Sequence, residues 1–333
     1  MFVLQLKTWV PNDSVSENDF MRAHRKIQEN RRAILKDACR KYHKEPPRDV
    51  AAHMDKNTML VDDEHKMMYC FVPKVASTNW KRVFLVLRGI FTSTNVSQYT
   101  ANRSLRKLRT FRSYKKDDRN HILDTYTKFL FVRHPYSRIL SAFKNKLSPD
   151  TDFERADYWK NTIGMQIIWR YRRLQNRSHA AWRNISRGYD LRFEEFVKFI
   201  SDTDRPQQQN KHWKEIYKRC FPCDIDYDII GKFETLDDDA KYTLKIAKVD
   251  KIVAFPKPDA SSPTNSSNIA TLESYYEKVP RENLQNLVRR YSLDFALFGY
   301  SSHTLAADPY YKSSNSSAVS VNLNWSEGLH LFD

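Results

Sequence analysis

The 333-residue sequence predicts an α/β fold in which a central, mainly parallel sheet is flanked by helices. Three apolar, β-compatible runs are each followed by a loop and a helix-like run, at residues 67–88, 128–147 and 227–236. Strands that lead directly into helices favour parallel pairing. The hydrophobic fraction of 41% and aromatic fraction of 13% are sufficient for a packed core. Ligands of such sheets lie beyond the carboxyl ends of the strands, so the loops at those ends are the candidate sites.

The first element is a long amphipathic helix predicted over residues 16–41 and closed by Pro46-Pro47. Its apolar residues recur at nearly helical spacing among many charges: Phe20, Ala23, Ile27, Ile34, Leu35 and Ala38. Nothing in it indicates catalysis, so it is expected to pack on the domain or to lead from an anchor.

The second element is a strand over 67–72 that ends at Pro73-Lys74 and leads to a helix-like run over 80–88. Backbone N–H groups at such a helix start, with the hydroxyls of Ser77 and Thr78, are suited to hold a phosphate. Lys74 would add positive charge. The glycines and the Gly-Lys-Ser/Thr end of a Walker A motif are absent, which disfavours a P-loop kinase or ATPase. Taken alone, the loop is also compatible with a plain helix cap.

The third element is a buried strand over 128–132, with an exit loop over 133–135 and a helix over 136–147. Arg133 ends the strand and Ser141 lies two turns into the helix, so both side chains are placed to reach one phosphate. The alternative is a surface arginine and an unrelated helix serine. A further strand over 227–233, followed by a helix start at 234–236, completes the pattern.

The net charge of +16 predicts a positive field that attracts polyanions, among them nucleic acid, anionic glycans, phosphorylated cofactors and acidic membranes. Basic residues concentrate in two stretches, 103–119 and 170–187. We expect at least one of them to line the groove for an anionic partner. Solvated helix faces are the alternative.

The four cysteines leave several possibilities open. Cys39, Cys70, Cys220 and Cys223 could form two disulfides or remain buried thiols, and the Cys220–Cys223 spacing also suits a redox pair or half of a zinc site. A zinc site would need two more ligands, so no metal is expected. Eight Asn-x-Ser/Thr sequons favour a secretory lumen, although neither an apolar run of membrane-spanning length nor a recognisable signal peptide is present in the sequence.

Two ordered motifs carry a family resemblance. Residues 73–82 (PKVASTNWKR) and 133–143 (RHPYSRILSAF) resemble segments of the Golgi carbohydrate sulfotransferases of the chondroitin 4-O-sulfotransferase and HNK-1 sulfotransferase type. The similarity continues through His212-Trp213, Cys220–Cys223 and 230–236 to about Tyr300, and so covers most of the chain. The resemblance implies a P-loop-like sulfotransferase fold with a helical lead-in over 1–63, a catalytic domain over 64–300 and a flexible Ser/Asn-rich tail over 301–333.

The resemblance also implies a donor, 3′-phosphoadenylyl sulfate (PAPS), and two segments that bind it. The 5′-phosphosulfate is assigned to Pro73, Lys74, Val75, Ala76, Ser77, Thr78 and Asn79, and the 3′-phosphate to Arg133, His134, Pro135, Tyr136, Ser137, Arg138, Ile139, Leu140 and Ser141. The chain departs from the family pattern at Ser77, where relatives often have cysteine, and at His134, where they usually have an acidic residue. Neither change adds negative charge beside a phosphate.

Sulfonate transfer, by analogy with phosphoryl transfer, requires in-line positioning and charge stabilisation at the leaving oxygen. We assign that stabilisation to Lys74. The acceptor hydroxyl needs a general base, for which His121 is the first candidate by position, followed by His212 and Glu154.

The resulting hypothesis is a PAPS-dependent carbohydrate O-sulfotransferase of the Golgi lumen that modifies O-4 of GalNAc in a chondroitin-like or dermatan-like glycosaminoglycan. Nucleic acid is not expected as a partner, and the type II membrane anchor typical of the family is not visible in this sequence. The alternative is a basic module that binds polyanions, either glycan or nucleic acid, without catalysis.

Overall fold

The computed structural model describes residues 16–42, 49–53, 58–152, 156–172, 189–202, 209–257 and 264–302. Its centre is a five-stranded sheet with the order β3-β1-β2-β4-β5. The strands are β1 (Met59–Asp62), β2 (Met67–Cys70), β3 (Arg109–Thr110), β4 (Thr127–Val132) and β5 (Ile229–Lys232). Strands β2, β4 and β5 are parallel, whereas β1 pairs antiparallel with both β2 and β3. The predicted α/β class and its three parallel strands are therefore confirmed, and an antiparallel hairpin widens the sheet.

Helices flank this sheet. They are α1 (Glu17–Tyr42), α2 (Val50–His53), α3 (Ser77–Leu87), α4 (Gln98–Arg103), α5 (Lys116–Thr125), α6 (Pro135–Lys146), α7 (Ala156–Trp159), α8 (Met165–Tyr171), α9 (Phe193–Asp202), α10 (Tyr217–Cys220), α11 (Leu236–Ile246), α12 (Ile269–Tyr276) and α13 (Arg281–Leu297). Strand β1 lies before position 64, so the last residues of the expected lead-in belong to the sheet. The expected tail lies outside the described residues from position 303 onward. None of the described helices is long and apolar enough to cross a membrane.

Helix α3 is fixed to the sheet by aromatic packing. Trp80 is fully buried, and its ring lies 4.7 Å from that of Phe129 and 5.1 Å from that of Phe131. Gly231 pairs with Phe131 across β4 and β5, and a Cβ at Gly231 would lie 2.3 Å from the Phe131 ring. A close contact of this kind admits only glycine. The loops that precede α3 and α6 therefore extend from a tightly packed sheet.

Helix α1 covers the edge strand β5 with polar side chains. Gln28 accepts a hydrogen bond from the Ile230 N–H (2.9 Å), and Arg31 donates to the Ile230 carbonyl (2.8 Å) and to Asp239 (2.7 Å). The amphipathic helix is as predicted, but Ile27 and Ile34 are 39% and 37% exposed. An edge strand presents unpaired N–H and C=O groups, which apolar side chains could not satisfy.

Both cysteine pairs form disulfides, Cys39–Cys223 and Cys70–Cys220. Each half of the Cys220–Cys223 motif is bonded to a distant segment, so the redox-pair and half-zinc alternatives are excluded. The first bond ties α1 to the loop after α10. The second ties the carboxyl end of β2 to α10, directly beside the loop that begins at Pro73.

Candidate active site

The loop after β2 has a strained backbone that opens onto the start of α3. Lys74 and Ala76 both have positive φ, 72° and 57°, and Ala76 caps the helix without a side-chain hydrogen bond. Non-glycine residues in this conformation cost free energy and concentrate at functional sites. The first N–H groups of a helix have no partner within it and attract anions. Residues 73–76, which we call the cradle loop, therefore have the features expected of a phosphate cradle.

Arg133 leaves the carboxyl end of β4 and reaches the same loop. One guanidinium nitrogen donates to the Lys74 carbonyl (3.1 Å), and the other donates to the hydroxyls of Ser266 (3.0 Å) and Ser267 (2.7 Å). The guanidinium also stacks on Phe233 at 4.0 Å, and the residue is only 4% exposed. Arg133 thus joins the loops after β2 and β4 to the segment at 264–267.

Ser141 on α6 faces this segment as well. Its hydroxyl lies 3.3 Å from that of Thr264, which lies 2.7 Å from the hydroxyl of Ser266. We call Arg133, Ser141, Thr264, Ser266 and Ser267 the hydroxyl cluster. Hydroxyls and a buried guanidinium are hydrogen-bond donors of the kind that bind a phosphate group. Sequence analysis missed residues 264–267 because their serine-rich composition resembled a low-complexity linker.

In the two predicted donor-binding segments, 73–79 and 133–141, several other side chains make contacts that stabilise the fold. His134 is bonded through Nε2 to the Ser301 carbonyl (3.1 Å), and burial lowers its pKa to about 3. Tyr136 donates to the Ser302 carbonyl, and Asn79 donates to the Pro256 carbonyl. Ile139 and Leu140 are fully buried in the core. These side chains position the segments and do not join the hydroxyl cluster.

Lys74 belongs to a group of cations that repel one another. Burial lowers its pKa well below the usual lysine value, and the charges of Lys146 and Arg133 lower it further. Lys146 is itself 8% exposed and lies over the Trp159 ring at 5.6 Å. Like charges at short range favour the neutral form unless an anion binds between them. The site is therefore preorganised for a ligand that carries several negative charges.

His212 lies beside these cations in a defined tautomer. The Asn210 side-chain oxygen accepts a hydrogen bond from the His212 backbone N–H (3.0 Å) and also lies 2.8 Å from Nδ1 of the His212 ring. Since that oxygen only accepts, Nδ1 carries the proton and Nε2 is the basic nitrogen. Burial, followed by Lys146, Lys74 and Lys211, lowers the His212 pKa well below its usual value. The imidazole is thus neutral at neutral pH.

His121, the first candidate for the base, is not brought to this group. It is exposed on α5, and its Nε2 lies 3.4 Å from the Thr125 hydroxyl. Helix α5 leads into the amino end of β4, whereas Arg133 follows the carboxyl end. Six residues of strand separate the two ends by about 20 Å. His121 is close to β4 in the sequence, but it lies at the amino end of that strand, whereas the site lies at the carboxyl end. Glu154, the third candidate, lies outside the described residues.

The arginines of the two basic stretches are largely engaged in the fold. Arg109 pairs with Asp63 (2.7 Å), Arg170 with Asp202 (2.9 Å) and Arg172 with Glu195 (2.7 Å). Arg119 donates to three backbone carbonyls. These contacts do not support the expectation that one of the two basic stretches, as far as its residues are described, lines the groove for an anionic partner. Residues 173–187 lie outside the described residues.

Two parallel strands, β2 and β4, have exit loops that supply a phosphate cradle and a buried arginine, which is where α/β folds bind phosphorylated ligands. Residues 57–301 match the profile of the Sulfotransferase family, so the chain belongs to that family and is a sulfotransferase. The predicted family and enzyme class are thereby confirmed.

Curated relatives agree with this assignment. Carbohydrate sulfotransferase 11 of Rattus norvegicus is 36% identical over 282 residues, which are 83% of this chain and 76% of the relative. Carbohydrate sulfotransferase 8 of Homo sapiens is 33% identical over 87% of this chain and 66% of the relative. Carbohydrate sulfotransferase 14 of Danio rerio is 38% identical over 73% of this chain and 62% of the relative. No solved structure matches the chain.

Proposed function

We propose that this sulfotransferase transfers a sulfonate group from PAPS to O-4 of GalNAc in a chondroitin-like or dermatan-like glycosaminoglycan. The observation that carries the proposal is the hydroxyl cluster, which Arg133 links directly to the Lys74 carbonyl of the cradle loop. Two anion-binding sites joined by one guanidinium suit a donor with phosphate at one end and phosphosulfate at the other.

The described residues fit such a donor. The hydroxyl cluster would hold the 3′-phosphate, while the N–H groups at the start of α3 and Lys74 would hold the 5′-phosphosulfate. Burial, followed by the charges of Lys146 and Arg133, lowers the pKa of Lys74, and those anions would stabilise its charged form. When bound, PAPS supplies an activated sulfonate and a phosphate leaving group.

The chemistry then falls to two side chains. His212 Nε2 accepts the proton of the acceptor hydroxyl while that oxygen forms its bond to sulfur. The bond between sulfur and the phosphate oxygen breaks, and the Lys74 ammonium stabilises the negative charge that develops on that oxygen. His212 suits this role because its pKa lies well below the usual value and its Nδ1 proton is held by Asn210.

A basic module that binds polyanions without catalysis was the alternative from the sequence, and it does not fit a member of the Sulfotransferase family. The net charge of +16 is compatible with either function. The binding module gives no reason for a histidine in a fixed neutral tautomer beside Lys74, and that placement favours catalysis.

We propose the Golgi lumen as the site of action. Two disulfides support an oxidising compartment, because cytosolic thiols are kept reduced. The sequons support the same compartment.

The donor assignment is tested by thermal unfolding with PAP, the product nucleotide, and with ATP. A ligand that binds only the native state stabilises it by RT ln(1 + [L]/Kd), about 2.7 kcal/mol at a hundredfold excess over Kd. We expect PAP to raise Tm clearly and ATP to raise it weakly. Arg133→Ala should reduce the PAP shift, since a lost charge-assisted hydrogen bond costs about 1.5–3 kcal/mol. Equal shifts with both nucleotides would contradict the assignment.

The acceptor is identified by incubation with labelled PAPS and a panel of desulfated glycosaminoglycans, followed by disaccharide mapping. Label at O-4 of GalNAc is the expected result. Label on another hydroxyl would correct the position and leave the donor assignment intact.

A further inference from the structure

Two cations lie against the ring of Phe71, immediately before the cradle loop. The Lys81 ammonium lies 4.9 Å from the centre of the Phe71 ring, and the Arg219 guanidinium carbon lies 5.1 Å from it. A third cation, Lys211, is exposed and close enough to act on Lys81 electrostatically, as Arg219 acts on Lys211. We call Lys81, Lys211 and Arg219 the anion subsite. Phe71 itself is partly exposed, so a ligand can reach the group.

Two of these cations are buried and have only neutral hydrogen-bond partners. Lys81 is 8% exposed and donates to the Asn102 side-chain oxygen (2.9 Å), while Arg219 is 6% exposed and donates to the Phe71 carbonyl (3.0 Å). Within the described part of the chain, no carboxylate pairs with any member of the subsite. Buried charges are normally paired, so this group is poised for an external anion.

Electrostatics support this interpretation. The Lys81 pKa is lowered to about 7 by burial, then by Lys211 and Arg219. Burial and Arg219 also lower the Lys211 pKa. A bound anion would favour the charged form of each lysine. The Cys70–Cys220 disulfide holds Arg219 beside Phe71, so the group cannot easily spread apart.

The subsite is separate from the groups proposed to hold the donor. Arg133 contacts the Lys74 carbonyl, Ser266 and Ser267, none of which contacts Lys81 or Arg219. His212 connects the two regions, since it follows Lys211 in the chain and its pKa is lowered by both Lys74 and Lys211. Because Lys211 directly precedes the proposed base, the subsite borders the part of the site where the acceptor hydroxyl would bind.

We propose that Lys81, Lys211 and Arg219 bind the carboxylate of a hexuronate that neighbours the sugar being sulfated, and so select acidic glycans as acceptors. The inference rests on the proposed function. An arginine fork matches a carboxylate with two hydrogen bonds, and lysines add charge. A sulfate ester offers similar chemistry, but a carboxylate is already present on a chain that has not been sulfated.

The test compares two acceptors, desulfated chondroitin and the same polymer with its carboxylates reduced to alcohols. Initial rates are measured for the wild-type chain, Lys211→Gln and Lys81→Met. The matched control is Lys115→Gln, which removes an exposed charge at the start of α5, outside the groups assigned to the donor, the base and the subsite. The PAP-induced Tm shift verifies that each variant is folded and binds donor.

On desulfated chondroitin, we expect each subsite variant to lose roughly tenfold or more in acceptor kcat/KM, as the loss of a charge-assisted hydrogen bond implies. The PAPS KM should be unchanged. For the wild-type chain, acceptor kcat/KM should fall by a similar factor when the carboxyl-reduced polymer replaces desulfated chondroitin. On the reduced polymer, the variants should have nearly the same kcat/KM as the wild type. Lys115→Gln should match the wild type on both.

Equal losses by the variants on both polymers would overturn the inference. Restoration of wild-type activity by a carboxyl-reduced polymer that carries 6-sulfate would show that sulfate is the ligand, which also overturns the carboxylate assignment. Preferred transfer to a neutral oligosaccharide ending in GalNAc, unaffected by Lys211→Gln, would refute both the subsite and the glycosaminoglycan acceptor, and would leave PAPS-dependent transfer to GalNAc standing. The proposed function itself fails if the wild-type chain is not stabilised by PAP and transfers sulfonate to no acceptor.

Discussion

The two histidines considered as the base differ in what surrounds each imidazole. The Nδ1 of His212 is held by Asn210, and burial, followed by the neighbouring cations, keeps the ring neutral. His121 is exposed on α5, with Thr125 and Tyr126 as its neighbours. A base must be unprotonated and close to the group that stabilises the leaving oxygen. Only His212 combines a lowered pKa with the neighbourhood of Lys74.

His212→Gln should lower kcat by about 10²–10⁴-fold, the usual contribution of a general base. The PAPS KM should change little, because the hydroxyl cluster is unaltered. In the unmutated chain, kcat/KM should begin to decline on acidification only at a pH below about 6.5, the ordinary pKa of histidine. The reason is that a base with a lowered pKa stays unprotonated to lower pH. His121→Gln is the matched control. A loss of turnover in the control instead would restore His121 as the base.

At the scale of elements, α1 completes the sheet in place of a sixth strand. Gln28 and Arg31 bond both backbone groups of Ile230, and Asp239 on α11 accepts from Arg31 and from the Lys232 N–H (2.9 Å). Arg31 and Asp239 are 6% and 1% exposed. The helix therefore serves as a cover for the edge strand, and its polar residues contribute more to that role than its exposed isoleucines do.

Arg31→Met should destabilise the protein by about 3 kcal/mol or more, because removing one partner of a buried pair leaves the other charge uncompensated. Urea unfolding measures the change. The control is Arg22→Met on the same helix, whose ion pair with Asp19 is solvent-exposed and should contribute less than about 1 kcal/mol. Similar effects of the two substitutions would show that the cover is not important for stability.

At the scale of the whole molecule, two disulfides connect segments that are far apart in sequence. Cys39–Cys223 spans 184 residues and Cys70–Cys220 spans 150. Cross-links that close long loops restrict the unfolded chain, and each typically contributes about 2–4 kcal/mol. They differ in position, since only Cys70–Cys220 adjoins Phe71 and the cradle loop.

Replacing both cysteines of either pair by alanine should lower Tm in each case. The Cys39/Cys223 variant should keep the PAP-induced Tm shift, because its bond lies away from the cradle loop. The Cys70/Cys220 variant should lose much of that shift and of its turnover, because β2 and α10 are no longer tied beside the loop. Equal retention of PAP binding by both variants would separate the disulfide from the site.

The sequence by itself determined the features that depend on local order. Alternation of strand, loop and helix predicted β2, β4 and β5, and the types of residue at strand ends singled out Lys74, Arg133 and Ser141. Motif order also identified the family. These inferences hold because strand exits and helix starts are encoded within about ten consecutive residues.

Tertiary structure decided what joins these local pieces. It brought Ser266 and Ser267 to Arg133 over a separation of more than a hundred residues, placed His212 rather than His121 beside Lys74, and paired each cysteine with a distant partner. It also placed α1 over β5. Such contacts depend on strand direction and sheet order, which no local pattern records, because residues remote in sequence meet only when the whole core has packed.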